Sequence, residues 1–433
     1  MNPETVGLIF IALLVVLLFS GVHIAFAMGI CGFLGTLWIT GFPSAIHQVA
    51  SVATDESSSF ILSCIPLYIL MGMIIFHSGI AGNLYDAMYK FVGRLPGGLA
   101  VASTFGCAAF GAVSGSSTAT AATMASIALP NMKKYKYDVK LSVGTLAASG
   151  TLGILIPPSI PLVVYGVMTE QSIGALFIAG IVPGVLSAIM FAAMIVIRAK
   201  LNPSLAPAGE KFTWREQIAT LKGVWHVVVI FTLVIGGMYL GIFTPTEAAG
   251  VGCFFASVFG ALERMGWDKF KLALYDTGKL TAMILLLIIG GIIFGRFLAA
   301  SGLVGKISEA LGALPYSRYV VLSIVLLMYF GLGMIMDALA MVILTLPLAY
   351  PVIVGLGFDP IWFGIIVVKM VEIGLVTPPV GLNAYVVAGI AKDVRLEDVF
   401  SGLVWFIAVD IVTLAILIAF PQISLWLPRA MMD

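Results

Sequence analysis

The stretch "GTLGILIPPSIPLVVYG" (150–166) sets two adjacent prolines inside an apolar, otherwise helical segment. Each proline lacks a backbone donor and clashes with the preceding turn, so Pro157 and Pro158 must break the helix. The break leaves upstream carbonyls without amide partners, and oxygen atoms of this kind are ligands for hard cations. "EIGLVTPPVGLN" (372–383) repeats the arrangement at Pro378 and Pro379. Two further stretches carry polar chemistry. "AVSGSSTATAAT" (112–123) holds seven hydroxyl or glycine residues in twelve positions. Ser114, Ser116, Ser117 and Thr118 offer neutral oxygens that divide between an ion and a substrate. "GMIMDALA" (333–340) holds Asp337, a carboxylate whose cost at membrane depth marks it as functional. The competing readings are close helix packing for the small-residue run and an interfacial ion pair of Asp337 with Arg296 or Lys369.

The elements that must position these residues are transmembrane helices. Of 433 residues, 61% are hydrophobic and 10% charged, against about 25% charged in ordinary globular chains. Apolar windows of the ~20 residues needed to cross a bilayer recur from end to end. They fall at about 5–20, 22–41, 61–77, 97–130, 141–168, 172–197, 224–242, 247–262, 281–299, 319–350, 361–390 and 400–420. The net charge of +1 offers no basic patch for nucleic acid. Cys31, Cys64, Cys107 and Cys253 stand singly in apolar segments and read as packing residues. The start, "MNPETVGLIF", lacks a basic leader and reads as a retained span.

Basic connections at 131–140, 198–223 and 263–280 are expected to be cytoplasmic, and the link at 350–361, whose one charge is Asp359, to be outside. Five single spans lie between Lys133 and Asp359, so 319–350 must enter and leave on one side, as a re-entrant hairpin. Segment 97–130 has the same length and faces inward. The halves also match in sequence: "GILIPPSI" (153–160) with "GLVTPPVG" (374–381), offset by 221, and "HSGIAG" with "ASGLVG", Ser78 to Ser301, offset by 223. The expected fold is therefore an all-α polytopic membrane protein built as an inverted-topology repeat. Residues 1–222 contain one hairpin and the broken helix 141–168; residues 223–433 contain the other hairpin and the broken helix 361–390. Such repeats are common among secondary transporters.

Taken together, "SGSSTATAATMASIALP", "GTLGILIPPS", "FTPTEAAG" and "EIGLVTPPVGLN" resemble the large membrane subunit of the tripartite ATP-independent periplasmic (TRAP) transporters, along essentially the whole chain. The resemblance implies sodium-coupled uptake of a small carboxylate across the bacterial or archaeal cytoplasmic membrane: a dicarboxylate, keto acid or sialic-acid-like molecule. It implies an elevator mechanism, with a transport domain sliding against a scaffold. Sodium is the implied coupling ion, with no organic cofactor. The implied partners are a periplasmic substrate-binding protein and a separate small four-helix membrane subunit. A stand-alone sodium- or proton-coupled carboxylate carrier of the same superfamily is the alternative.

On this reading Ser114, Ser117, Gly153, Ile156 and Pro158 form a first sodium site. Asp337, Gly374, Thr377 and Pro379 form a second, and Ser116, Thr118 and Asn383 contact substrate. For Asn383 a structural cap competes equally. Glu247, Arg296 and Glu372 are expected as scaffold or gate charges, although Glu372 and Lys369, three apart, also suit a local ion pair. Asp410 has no partner in its sequence neighbourhood, and His23 and His77 read as packed or interfacial. An intramembrane enzyme is disfavoured. The aspartate of a GxGD motif is methionine in "GLGMIMD", a GxSG serine is missing because Ala112 stands two before Ser114, and no HExxH occurs.

Overall fold

The computed structural model describes residues 2–207, 209–312 and 317–432. The described chain is helical. The first half runs α1 (Pro3–Phe19), α2 (Ile24–Thr40), α3 (Phe42–Ser57), α4 (Cys64–Ser78), α5 (Ile80–Val92), α6 (Gly98–Ser114), α7 (Ser117–Lys134), α8 (Val139–Leu155), α9 (Ile160–Thr169) and α10 (Ile173–Leu201). Next come α11 (Trp214–Phe231), a π turn (Thr232–Gly236), the short α12 (Gly237–Tyr239), α13 (Pro245–Leu262), α14 (Trp267–Ala300) and α15 (Leu303–Gly312). The remainder is α16 (Arg318–Gly333), α17 (Ala338–Gly355), α18 (Pro360–Val376), α19 (Leu382–Ile390), α20 (Leu396–Ala419) and α21 (Gln422–Met432). Among the described residues, eight helical stretches are long and apolar enough to cross a membrane.

Both ~30-residue segments are hairpins. The first, α6–α7, turns at Gly115, in the left-handed region at φ 62°, before the extended Ser116. The second, α16–α17, turns over Met334–Met336 and restarts at Asp337. Beside each hairpin lies a broken helix, α8–α9 and α18–α19, interrupted by its Pro–Pro pair; both Pro–Pro bonds are cis. In each half one glycine contact brings hairpin and broken helix together. A Cβ placed on Gly111 would fall 2.5 Å from Gly153 Cα, and one on Gly374 would fall 2.6 Å from Gly333 Cα. In lipid, helices associate through such close backbone packing rather than through the hydrophobic effect.

The sequence match "HSGIAG"/"ASGLVG" has a structural counterpart. Gly79 (φ 85°) and Gly302 (φ 71°) both take the left-handed conformation, and each opens a short helix, α5 or α15. The amphipathic α3, α5, α15 and α21 were not among the sequence segments, because their apolar residues form one stripe rather than a run.

The basic connections meet at one end of the molecule. Lys133 pairs with Asp393 at 2.7 Å, Tyr135 donates to Glu210 at 2.9 Å, and the Gln217 amide donates to Lys90 O at 2.9 Å. The Lys133 ammonium holds the Asp393 carboxyl below the usual carboxylate range, which fastens the end of the first hairpin to the α19–α20 link. The opposite end is joined by Tyr165 donating to Pro360 O at 2.6 Å and by Arg429 facing Asp359 at 3.7 Å. By the positive-inside rule the first end is cytoplasmic.

Candidate functional site

The first hairpin tip is a hydroxyl network. Thr120 Oγ1 donates to Ser116 O at 2.7 Å, so the 2.8 Å contact with Ser114 Oγ is donated by the serine. Ser116 caps α7, accepting from Ala119 N at 3.4 Å. Behind it, Asn383 is fully buried; its Nδ2 donates to Ser117 Oγ at 2.7 Å and to Ala147 O at 3.0 Å, leaving Oδ1 without a partner. The broken helix closes on this tip. The Pro158 carbonyl abuts Gly115, where an added Cβ would lie 2.8 Å away, and Gly153 faces Thr120 and the Ser116 carbonyl. The prolines withdraw the i+4 donors of the Gly153 and Ile154 carbonyls; the Ser159 hydroxyl bonds the latter.

The second tip has different chemistry at the same place. Asp337 caps α17, its Oδ1 accepting from Leu339 N at 2.9 Å and Ala340 N at 3.1 Å. It is exposed and forms no salt bridge among the described residues, with Arg296, Lys369 or any other cation. Val380 N donates to Met334 O at 3.2 Å, tying the second break to its hairpin, and Thr377 Oγ1 donates to Ile373 O at 2.6 Å. Pro157 and Pro158 are buried, whereas Pro378 and Pro379 are exposed. The two candidate ion sites are therefore unequal in both donors and access.

A cavity of ≈ 270 Å³ joins the tips. Ser114–Ala119 form one wall and Asp337–Leu339 another, with Ile154, Ile160 and Pro161 between them. Gly72, Met73 and Phe76 of α4 and Leu280, Met283 and Ile284 of α14 complete it. Phe76 and Leu280 lie toward the end where His77 meets Asp276 at 3.2 Å, which is the cytoplasmic end. Ser114, Ser116, Ser117, Thr118 and Asp337 thus share one cavity, while Asn383, Gly153, Ile156, Pro158, Gly374, Thr377, Pro379 and Glu372 are outside its lining. The apolar wall from α4 and α14 is absent from the sequence reading. Apolar residues on transmembrane helices carry no mark that separates cavity lining from lipid contact.

A family model described as "Tripartite ATP-independent periplasmic transporter, DctM component" matches residues 11–423. The chain belongs to this family. It is 34% identical to the C4-dicarboxylate TRAP transporter large permease protein DctM of Vibrio cholerae, over 99% of this chain and 98% of that one. It is 30% identical to the sialic acid TRAP transporter large permease protein SiaM of the same organism, over 95% and 96%. The fold is similar to that of the Alcanivorax borkumensis YdaH transporter, with TM-score 0.62 at 14% identity, covering 98% and 100% of the two chains. Membership makes this TRAP large permease a multi-pass protein of the bacterial inner membrane that serves secondary uptake, and a transporter rather than an enzyme.

The remaining charges of this permease sit away from the cavity. Glu247 is in a capping box, its carboxylate accepting from Thr244 N and Thr244 Oγ1, both at 2.8 Å. It is not paired with Arg296, whose guanidinium reaches Ser51 at 3.4 Å. Glu372 belongs to a fully buried triad. Lys369 Nζ donates to Glu372 Oε2 at 2.7 Å, to Asp410 Oδ1 at 2.6 Å and to Ser187 Oγ at 3.0 Å. Asp410 therefore does have a partner, on a helix 41 residues away in sequence. The local Lys369–Glu372 pair is present, as part of this larger cluster.

Proposed function

We propose that the permease takes up a small organic carboxylate coupled to sodium, by an elevator movement of the hairpins and broken helices against α2, α4, α13 and α14. The observation that carries this reading is the single cavity reached by both hairpin tips, one rich in hydroxyls and one bearing a carboxylate. Ser114, Ser117 and the carbonyls of Gly153, Ile156 and Pro158 suit a first sodium ion, whose charge the orphaned Asn383 Oδ1 would help to offset. Asp337, the Thr377 hydroxyl and the carbonyls of Gly374 and Pro379 suit a second. Ser116 and Thr118 are left for substrate, and Asn383, fixed to Ser117, positions the first tip.

The conformation supports an inward-open state. The cavity extends toward the cytoplasmic ends of α4 and α14. On the outer side α14 packs against α17 so closely that a Cβ on Gly291 would fall 2.2 Å from Ile343 Cγ2. Sequence halves 1–222 and 223–433 supply one hairpin and one broken helix each to the moving body. A periplasmic binding protein and a small four-helix subunit are the proposed partners, a reading supported by membership in a tripartite periplasmic transporter family.

Proteoliposomes containing the permease with its co-encoded subunit and binding protein test this directly. Labelled succinate, pyruvate and N-acetylneuraminate would be supplied in turn. An inward sodium gradient is expected to drive accumulation of at least one, and matched potassium none. Equal uptake in both salts would overturn sodium coupling.

A further inference from the structure

We infer that the substrate carries one carboxylate on an apolar body, with the carboxylate at the first hairpin tip. This rests on the sodium-coupled carboxylate reading above. The cavity wall contains one charged side chain, Asp337, and that is an anion. No basic side chain lines this cavity: Lys369 is fully buried within its triad, Arg296 lines a separate cavity with Thr169 and Tyr350, and His77 and Lys279, beside the lining Phe76 and Leu280, are outside the lining. Positive charge for the substrate must then come from bound ions and helix N-termini.

The tips differ in what they leave free. At the second tip, the Asp337 carboxylate already sits at the N-terminus of α17 and takes the Leu339 and Ala340 amides. At the first, α7 begins with the Ser117 and Thr118 amides, which have no i−4 carbonyl to bond, and no acidic residue lies in its first turn. Helix N-termini of this kind favour an anion, and the Ser116 and Thr118 side chains sit at the same wall. The charge count agrees. Two sodium ions bring two positive charges, and Asp337 cancels one, so one substrate carboxylate is balanced and a second is not. Beyond the tip, the moving body contributes Leu339, Leu375 and Leu382, and the facing wall Met73 and Phe76. A second carboxylate or a polyhydroxylated tail would lie against that apolar wall and, once the site is closed off from water, lack partners, at a cost that an aliphatic chain avoids.

The test is a melting series on the purified full-length permease in saturating sodium or in matched potassium. The probes are 4-methyl-2-oxopentanoate, its neutral amide, succinate and N-acetylneuraminate. The oxo acid is expected to raise the melting temperature in sodium, with an apparent Kd at least tenfold tighter than succinate or N-acetylneuraminate, and the amide to have no effect. Succinate or N-acetylneuraminate binding as tightly as the oxo acid would overturn the inference and leave sodium-coupled carboxylate binding intact. So would a sodium-specific shift that none of the probes adds to. No sodium shift and no probe shift would instead remove the underlying reading, and this inference with it.

Discussion

Replacing Lys369 by Met tests the electrostatics of the transport body. Lys369, Glu372 and Asp410 are each fully buried, and among the described residues the ammonium is the sole cation within 4 Å of either carboxylate. Lys369→Met leaves two carboxylates enclosed among α10, α18 and α20 with no counter-charge. Removing one partner of a buried pair costs about 3–5 kcal/mol, because the remaining charge cannot return to water. Here two charges are stranded, so the upper end of that range, about 5 kcal/mol, is expected. The triple variant Lys369→Met, Glu372→Gln, Asp410→Asn removes all three charges at near-constant volume and should lie within about 2 kcal/mol of wild type, since neutral replacements of buried ion clusters are often tolerated. Glu372→Gln alone keeps Lys369 paired with Asp410 and should cost no more than about 1 kcal/mol, the scale of one ordinary hydrogen bond. Denaturant unfolding in detergent, followed by circular dichroism, reads all four proteins. A Lys369→Met protein within about 1 kcal/mol of wild type would refute the reasoning. So would a triple variant as unstable as the single one.

Gly374→Ala places a Cβ 2.6 Å from Gly333 Cα and 2.7 Å from its carbonyl carbon. Because both neighbours are backbone, a destabilisation of about 1–3 kcal/mol is expected in the same unfolding assay, together with loss of any sodium-specific stabilisation. Glu247→Ala removes half of an exposed capping box and should cost about 0.5–1 kcal/mol while leaving proteoliposome uptake unchanged; a gate residue would instead cut uptake at unchanged stability. Cysteines at Gly291 and Ile343 would stand with Cβ atoms 3.7 Å apart, as a disulfide requires. Elevator motion predicts that Ile343→Cys also crosslinks to Ala299→Cys, eight residues and ~12 Å further out along α14. Crosslinking in one register under every ligand condition would contradict the motion.

The hairpins and broken helices were legible because their signals are local. Segments of ~30 residues are too long for one span and short for two, and a Pro–Pro pair breaks a helix wherever it falls. The inverted repeat followed from matched offsets, and the glycine pairs Gly111–Gly153 and Gly333–Gly374 give it a physical basis that no single residue announces. Contacts between helices distant in sequence were not legible: nothing near Asp410 names Lys369, and nothing marks Met73 or Leu280 as cavity wall. Glu247 reads from the sequence as a scaffold or gate charge, and "TPTE" also spells the capping box that the structure shows at the start of α13. Asn383 was legible as a substrate contact or a structural cap, but its burial and its orientation toward Ser117 depend on how α19 crosses the first hairpin.

The central claim is that the cavity joining the two tips holds sodium, with Asp337 as a ligand. The most direct measurement is the melting temperature of the purified permease against NaCl, with KCl at matched ionic strength, for wild type and Asp337→Asn. Sodium bound by the folded state alone stabilises it by about 2.7 kcal/mol at a concentration of 100 Kd. The account predicts a sodium-specific rise in wild type that is clearly reduced in Asp337→Asn. Superimposable sodium and potassium curves in wild type, or an undiminished sodium response in the variant, would contradict it.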